Sequence, residues 1–290
     1  MRRLLFAALA VVMLSGLLSC EQAVRQEYLL DKGWKFVKGD GDFSAVAVDD
    51  AAWESVTVPH DWAIYGPFDA GNDAQVVAIE QNFETRATLK TGRTGGLPYV
   101  GVGWYRLEFD APDFREGKCA ELLFDGAMSR TKVRVNGRSV TEWPYGYNAF
   151  HADVTDFLNP DGKDNLLEVS LENLPNSSRW YPGAGLYRNV HLIRTHAVHV
   201  PVWGTYVTTP EVSAEEASVV MDIAVEQADP MLRVRTKIFD PQGNILALSD
   251  NAAAASLQQH FRVRDPQLWS PESPDLYLAR TQILLDDEVL

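Results

Sequence analysis

From residue 21 onward the chain consists of short apolar or alternating runs separated by Gly, Pro, Asn and Asp, with few stretches that sustain a helical period. Strand-length runs closed off by turn residues restrict a chain to an all-β sandwich or barrel. The clearest runs are Trp34–Val37, Trp104–Phe109, Glu121–Phe124, Lys132–Val135, Ser139–Trp143, Leu166–Leu171 and Asn189–Arg194. Asn136-Gly137, between the fourth and fifth of these, tolerates positive φ at both positions and predicts a two-residue type I′ hairpin. Residues 63–102 differ: they are rich in Gly, Asn, Asp, Thr and Pro, lack a regular period, and read as a long functional or inserted loop. The pattern restarts near His196 to Pro201. Further runs follow at Gly204–Thr208, Ser218–Val225, Leu232–Phe239, Leu257–Val263 and Leu276–Leu284, with turn chemistry at Pro241–Asn244 and Asp265-Pro266 and a loop at Ala252–Ala255. The expectation is two sandwiches, 20–196 and a smaller one at 197–290. The last run leads into Asp286-Asp287-Glu288 as a turn and Val289-Leu290 as the opening of another strand, so the second sandwich is expected to be incomplete and the sequence cut short.

The first twenty residues read as an export signal. Arg2 and Arg3 precede an apolar stretch, Leu4 to Leu18, that is too short for a comfortable membrane span. Leu17-Leu18-Ser19-Cys20 matches the bacterial lipobox. The match implies removal of residues 1–19, a diacylglycerol on the Cys20 sulfur, and an exported, lipid-anchored place in the cell envelope. An ordinary signal peptide cut nearby is the alternative. Cys119 is the second of two cysteines, so with Cys20 lipidated no internal disulfide can form and the fold must rely on its core. Cys119 itself is expected to be a small buried hydrophobe on a strand, not a nucleophile.

Forty acidic against 26 basic residues give a net charge of −14, and no basic cluster interrupts it, which argues against nucleic acid as a partner. Six His and no cysteine cluster give no metal-ligand spacing, and no cofactor is expected. Eight Trp in an exported chain raise the odds of stacking on sugar CH faces, although most are expected to pack in the core.

Five segments, in order, resemble the front half of the glycoside hydrolases of family 2, β-galactosidases in particular. They are Gly33–Phe36; Val58-Pro-His-Asp-Trp62, preceded by Trp53; Gly103-Trp-Tyr-Arg106; Phe124-Asp-Gly126 with Val133–Gly137; and Ser178-Arg-Trp-Tyr-Pro-Gly-Ala-Gly-Leu-Tyr-Arg188 with Asn189–Leu192. Leu268–Tyr277 resembles the late part of the family's second domain. The resemblance covers nearly all of the chain after the signal. It implies a jelly-roll sugar-binding-type domain followed by an immunoglobulin-like sandwich, with a catalytic TIM barrel expected beyond residue 290. Retaining hydrolysis needs two carboxylates about 5–5.5 Å apart, and in this family both stand on the barrel, the acid/base in an Asn-Glu pair. This chain contains no Asn-Glu dipeptide. No catalytic residue is therefore assigned within it, and it is expected to be inactive alone.

The residues singled out as a rim of the substrate pocket are His60, Asp61, Arg179, Trp180, Tyr181 and Arg188. A structural role competes at each. Asp61 would cap a turn with His60 as a hydrogen-bond partner, Trp180 and Tyr187 would be core, and Arg188 would pair with a buried carboxylate to hold the turn at Pro182–Gly185. Loop 64–102 is the other candidate for reaching the pocket. The functional readings are the scaffold half of a β-galactosidase-like enzyme with carbohydrate as its substrate, a glycan-capturing surface lipoprotein, or an interaction lipoprotein without sugar affinity.

Overall fold

The computed structural model describes residues 25–69, 71–72, 74–91, 99–175 and 180–290. The export signal 1–19, the lipidation residue Cys20 and the rim residue Arg179 lie outside the described residues.

The described chain is built of β-strands joined by turns, loops and three short 3-10 turns. Its first part contains β1 (Gln26–Leu29), β2 (Trp34–Lys38), β3 (Glu54–Val56), β4 (Ala74–Val77), β5 (Thr88–Thr91) and β6 (Gly101–Phe109). These are followed by β7 (Lys118–Phe124), β8 (Thr131–Val135), β9 (Arg138–Trp143), β10 (Phe150–Asp153), β11 (Asn165–Asn173) and β12 (Val190–His196). A four-stranded sheet, β1-β12-β7-β10, faces a six-stranded sheet, β3-β2-β6-β11-β8-β9, as a jelly-roll sandwich. Among the described residues, β4 and β5 pair only with each other.

Period-two alternation sets the faces. On β6, Gly103, Tyr105, Leu107 and Phe109 point into the core, which they share with Trp34, Phe36, Leu122, Phe124, Val133, Val135, Val169 and Leu192. The strand β11 is buried on both faces from Asn165 to Leu171, because its outward Glu168 sits beneath a second layer. Arg106 Nη1 reaches Glu168 Oε1 at 3.3 Å, and both side chains are almost completely buried. The same guanidinium contacts Asp50 Oδ2 at 3.1 Å and donates to the carbonyls of Ala45 and Val46, pinning the 45–50 segment across the sheet. Burial raises the Glu168 pKa and the Arg106 charge opposes that rise.

The second part contains β13 (Thr205–Thr208), β14 (Glu216–Ala224), β15 (Arg233–Phe239), β16 (Ile245–Ala252), β17 (Ser256–Arg264), β18 (Leu278–Leu285) and β19 (Glu288–Val289). Its sheets, β13-β14-β17 and β16-β15-β18-β19, form an immunoglobulin-like sandwich around Met221, Ile223, Val234, Ile238, Phe261, Val263 and Ile283. Gln259 is buried there and donates to the Val234 carbonyl and to Asn251.

Several expectations are corrected. The 63–102 stretch carries a 3-10 turn at Trp62–Tyr65 and the β4–β5 hairpin, because Gln75–Val77 and Thr88–Lys90 supply alternation that the surrounding Gly and Asp obscure. Cys119 lies on a strand as expected but is only half-buried, and burial raises its thiol pKa, which disfavours the nucleophilic thiolate. The final turn is the two residues Asp286-Asp287, both at positive φ, and Glu288 already pairs with Leu285. The Asn136-Gly137 hairpin forms with positive φ at both residues, as the dipeptide requires.

Removing one partner of a buried ion pair leaves an uncompensated charge. Arg106→Met, which keeps the aliphatic stem, is expected to lower unfolding stability by about 3 kcal/mol, read as a lower urea midpoint. A change near zero would show that the 45–50 layer holds without the guanidinium.

Candidate functional site

Three chain segments meet beside the edge of the jelly roll: 60–65, 125–129 and 180–189. The middle of the last lies between the other two. His60 N–H donates to the Leu186 carbonyl at 2.7 Å and Trp62 N–H to the Ala184 carbonyl at 3.3 Å. On the opposite side, Met128 and Gly185 exchange two backbone bonds of 2.9 Å.

Asp61 fixes this junction with both carboxylate oxygens. Its Oδ1 accepts from Ala63 N–H at 3.0 Å, capping the 3-10 turn, and from Ala184 N–H at 3.1 Å across the junction. Its Oδ2 accepts the Tyr181 hydroxyl at 2.7 Å. A short residue with two acceptor oxygens is what an N-cap needs, and the second oxygen binds the 180s segment to it. The turn then drops Trp62 into the core, where its ring lies over Gly103 so closely that a Cβ there would overlap it. That contact packs the Val58-Pro-His-Asp-Trp62 segment against Gly103-Trp-Tyr-Arg106. Gly185 is held at φ +96°, and a Cβ would strike the Tyr105 hydroxyl and come within 2.8 Å of the His60 carbonyl, so only glycine fits.

His60 shares a 2.8 Å hydrogen bond with the buried Tyr105 hydroxyl and meets Phe36 edge-on at 4.9 Å. Burial lowers the His60 pKa and raises that of Tyr105 far above the ordinary phenol value, so the pair is neutral around pH 7. A neutral His–Tyr pair that anchors one segment to the next is a positioning element, and neither group is set up as an acid or nucleophile.

Outward from this junction the surface turns aromatic. Trp180 is 55% exposed and donates its indole N–H to the Tyr147 hydroxyl at 2.8 Å. Tyr147 packs edge-on against Tyr145 at 5.6 Å, and Tyr187 donates its hydroxyl to the Gly146 carbonyl at 2.7 Å. Arg188 lies over the Tyr187 ring at 5.5 Å, and its Nη1 is 3.5 Å from the Asp125 carbonyl. Tyr65, 78% exposed, stacks on His60 at 6.5 Å.

The structure thus joins Asp61 and Tyr181 by a hydrogen bond, holds His60 on Tyr105 beside them, and places Trp180 on an aromatic lip. Trp180 is not a core residue: it is mostly exposed and donates to the Tyr147 hydroxyl. Arg188 holds a backbone carbonyl and an aromatic face where a buried carboxylate was expected. Sequence reasoning missed Tyr145, Tyr147 and Tyr65; the aromatic–Gly–aromatic spacing of Tyr145-Gly-Tyr147 after a strand was the available signal. Among the described residues no group of three or more His, Cys, Asp or Glu is placed to hold a metal ion. Stacking and hydrogen bonding are the chemistry these side chains offer.

The family model for glycosyl hydrolases family 2 matches residues 198–290. A β-galactosidase of Bacteroides ovatus is 35% identical over 89% of this chain and 29% of its own length. A solved family 2 member from Bacteroides cellulosilyticus shares 30% identity and superposes with a TM-score of 0.76 over 91% of this chain and 34% of its own. The β-glucuronidase of Bacteroides uniformis shares 26% identity with a TM-score of 0.72, over 89% and 30% respectively. The chain spans 26–29% of the length of the first curated relatives it matches.

Asp61→Ala removes the acceptor of two backbone N–H groups and one hydroxyl, and a loss of about 2–3 kcal/mol is expected in urea unfolding followed by tryptophan fluorescence. Asp61→Asn keeps one acceptor oxygen and is expected to cost less than half as much. For His60, the unfolded chain binds a proton near the ordinary pKa of about 6.5, which the folded site resists. Its contribution is therefore complete above that value and is lost as the pH falls below it toward the depressed folded pKa. His60→Asn is expected to flatten the decline of Tm with acid over that window. An unchanged slope would assign the acid sensitivity to other groups.

Proposed function

We propose that this chain, which belongs to glycoside hydrolase family 2, forms the non-catalytic front of a secreted enzyme that cleaves terminal β-glycosidic bonds in carbohydrate breakdown. The observation that carries this reading is the lip of Tyr145, Tyr147 and Trp180 beside a junction held by the Asp61–Tyr181 and His60–Tyr105 hydrogen bonds: it offers ring faces and hydroxyls to a sugar. The two units proposed are the jelly roll, 20–196, and the immunoglobulin-like sandwich, 197–290, with the chemistry supplied by a barrel that follows them in the whole protein.

In this reading His60, Asp61 and Tyr181 position the lip, while Trp180 and Arg188 stand at the pocket rim. β-Galactosidase is the first choice of activity. The identity to the Bacteroides ovatus enzyme supports it, and the resemblance to a β-glucuronidase keeps that activity as the alternative. The proposed location is the cell envelope, through the lipid on Cys20. A second reading, a glycan-capturing lipoprotein without hydrolysis, is favoured by the exposure of the same aromatic lip.

Residues 21–290 are expected to show no turnover of aryl β-galactoside, β-mannoside or β-glucuronide, whereas the longest reading frame from the same locus turns over one of them. In that long form, Trp180→Ala is expected to raise KM about ten-fold with a smaller change in kcat, the pattern of lost binding at a rim. Turnover by the short form would overturn the proposal, and an inactive long form would favour the capture reading.

A further inference from the structure

The sheet edges of the two sandwiches are not equally guarded. Among the described residues the sheets end on β1, β10, β3, β9, β13, β17, β16 and β19. An edge strand presents unpaired N–H and C=O groups to other chains, and short length or charge normally blunts it. The strands β1, β3, β10, β13 and β19 have four residues or fewer. The longer β9 carries Arg138 and Glu142, and β17 carries Arg262 and Arg264. Neither guard protects β16. It has eight residues, and Asp250, its one charged side chain, is already held by Arg233 and Arg235 at 2.7 Å each. On the same strand Ile245, Leu246 and Leu248 are 54%, 44% and 55% exposed.

This edge is complementary to itself. The β15–β16 register shifts by one residue beside Leu246, so that Ile238 opposes Ala247 and Phe239 opposes Ile245. The shift turns Ile245 to the same side as Leu248, because their partners Phe239 and Lys237 share the face of β15 that points away from the buried Val234, Thr236 and Ile238. A second β16 laid antiparallel to the first, with a two-fold axis between Leu246 and Ala247, sets Ile245 of each copy opposite Leu248 of the other. Two aliphatic cross-strand pairs then cover one another on the outward face. Asn244 opposes Ser249, a polar pair. Ala252 opposes Pro241, and Arg233 stands across from Ala252 on β15, so Asp240 of each copy comes beside Arg233 of the other. Opposite charges thus meet at both ends of a pairing made wholly from this chain's own residues, and an isologous contact of this kind closes as a dimer.

We propose that this chain self-associates through β16, two copies joining edge to edge into one continuous sheet with four strands from each. Main-chain bonds between the edges give the affinity, and the aliphatic pairs fix the register. Eight residues per copy fall short of the roughly 20–30 on each side of a standard interface, so a dissociation constant of about 10–100 μM is expected. Self-association does not depend on glycosidase activity, so either can fail while the other stands.

The test is sedimentation velocity of the full chain carrying Cys20→Ser, over about 1 to 200 μM. The mean mass is expected to rise from monomer toward dimer across that range. Leu248→Lys, which adds a charge of the kind that guards the other edges, is expected to weaken association about ten-fold or more. Leu89→Lys, on the exposed β4–β5 hairpin, is expected to leave it within about two-fold. Register is read by cysteine pairing: a chain with Ile245→Cys mixed with a chain with Leu248→Cys is expected to form a 245–248 disulfide under mild oxidation, mapped by peptide mass spectrometry. Either variant alone places its two new thiols about 10 Å apart along the strands, beyond disulfide reach. A dimer unmoved by Leu248→Lys, or linkage as strong in the single-variant samples as in the mixture, would overturn the proposal. A monomer throughout the range would also overturn it and leave the edge to another occupant.

Discussion

The carboxylate of Asp61 is the constraint on which the candidate site depends. One side chain caps the 62–65 turn, holds the Ala184 backbone and orders Tyr181. The capped turn directs Trp62 into the core over Gly103, and the bridged 184–186 segment places Gly185 where no side chain fits. Two sequence segments more than a hundred residues apart are thereby locked to a tolerance set by van der Waals contact.

Much of the architecture was legible in the sequence. The runs around Trp104–Phe109, Leu166–Leu171 and Leu232–Phe239 are strong because their inward positions are large and apolar, and the Asn136-Gly137 turn is legible because few dipeptides tolerate positive φ twice. The strands that were missed are weak for a common reason. Short β1 and β3 lie at sheet edges, and β16 exposes Ile245, Leu246 and Leu248, so its pattern lacks a buried face. In the site, the role of Asp61 could be read from its place before an aromatic turn. The exposure of Trp180 could not, because its partner Tyr147 and the Asp61 that holds the neighbouring Tyr181 are distant in sequence.

The family gives these two sandwiches a defined context. Its members of known structure superpose on most of this chain and extend well beyond it. The proposed role, a front portion that shapes a pocket without supplying chemistry, is supported by the neutral His60–Tyr105 pair and by the aromatic lip.

The central claim is that this chain positions a glycan and does not carry the reacting carboxylates. Incubation of residues 21–290 with mechanism-based covalent glycosidase reagents of the galacto, manno and glucurono series, followed by intact-mass and peptide mass spectrometry, tests it directly. The account predicts no adduct on any Asp or Glu of this chain, and one labelled Glu beyond residue 290 when the long reading frame is treated alike. A stoichiometric glycosyl adduct on a carboxylate within the two sandwiches would contradict it.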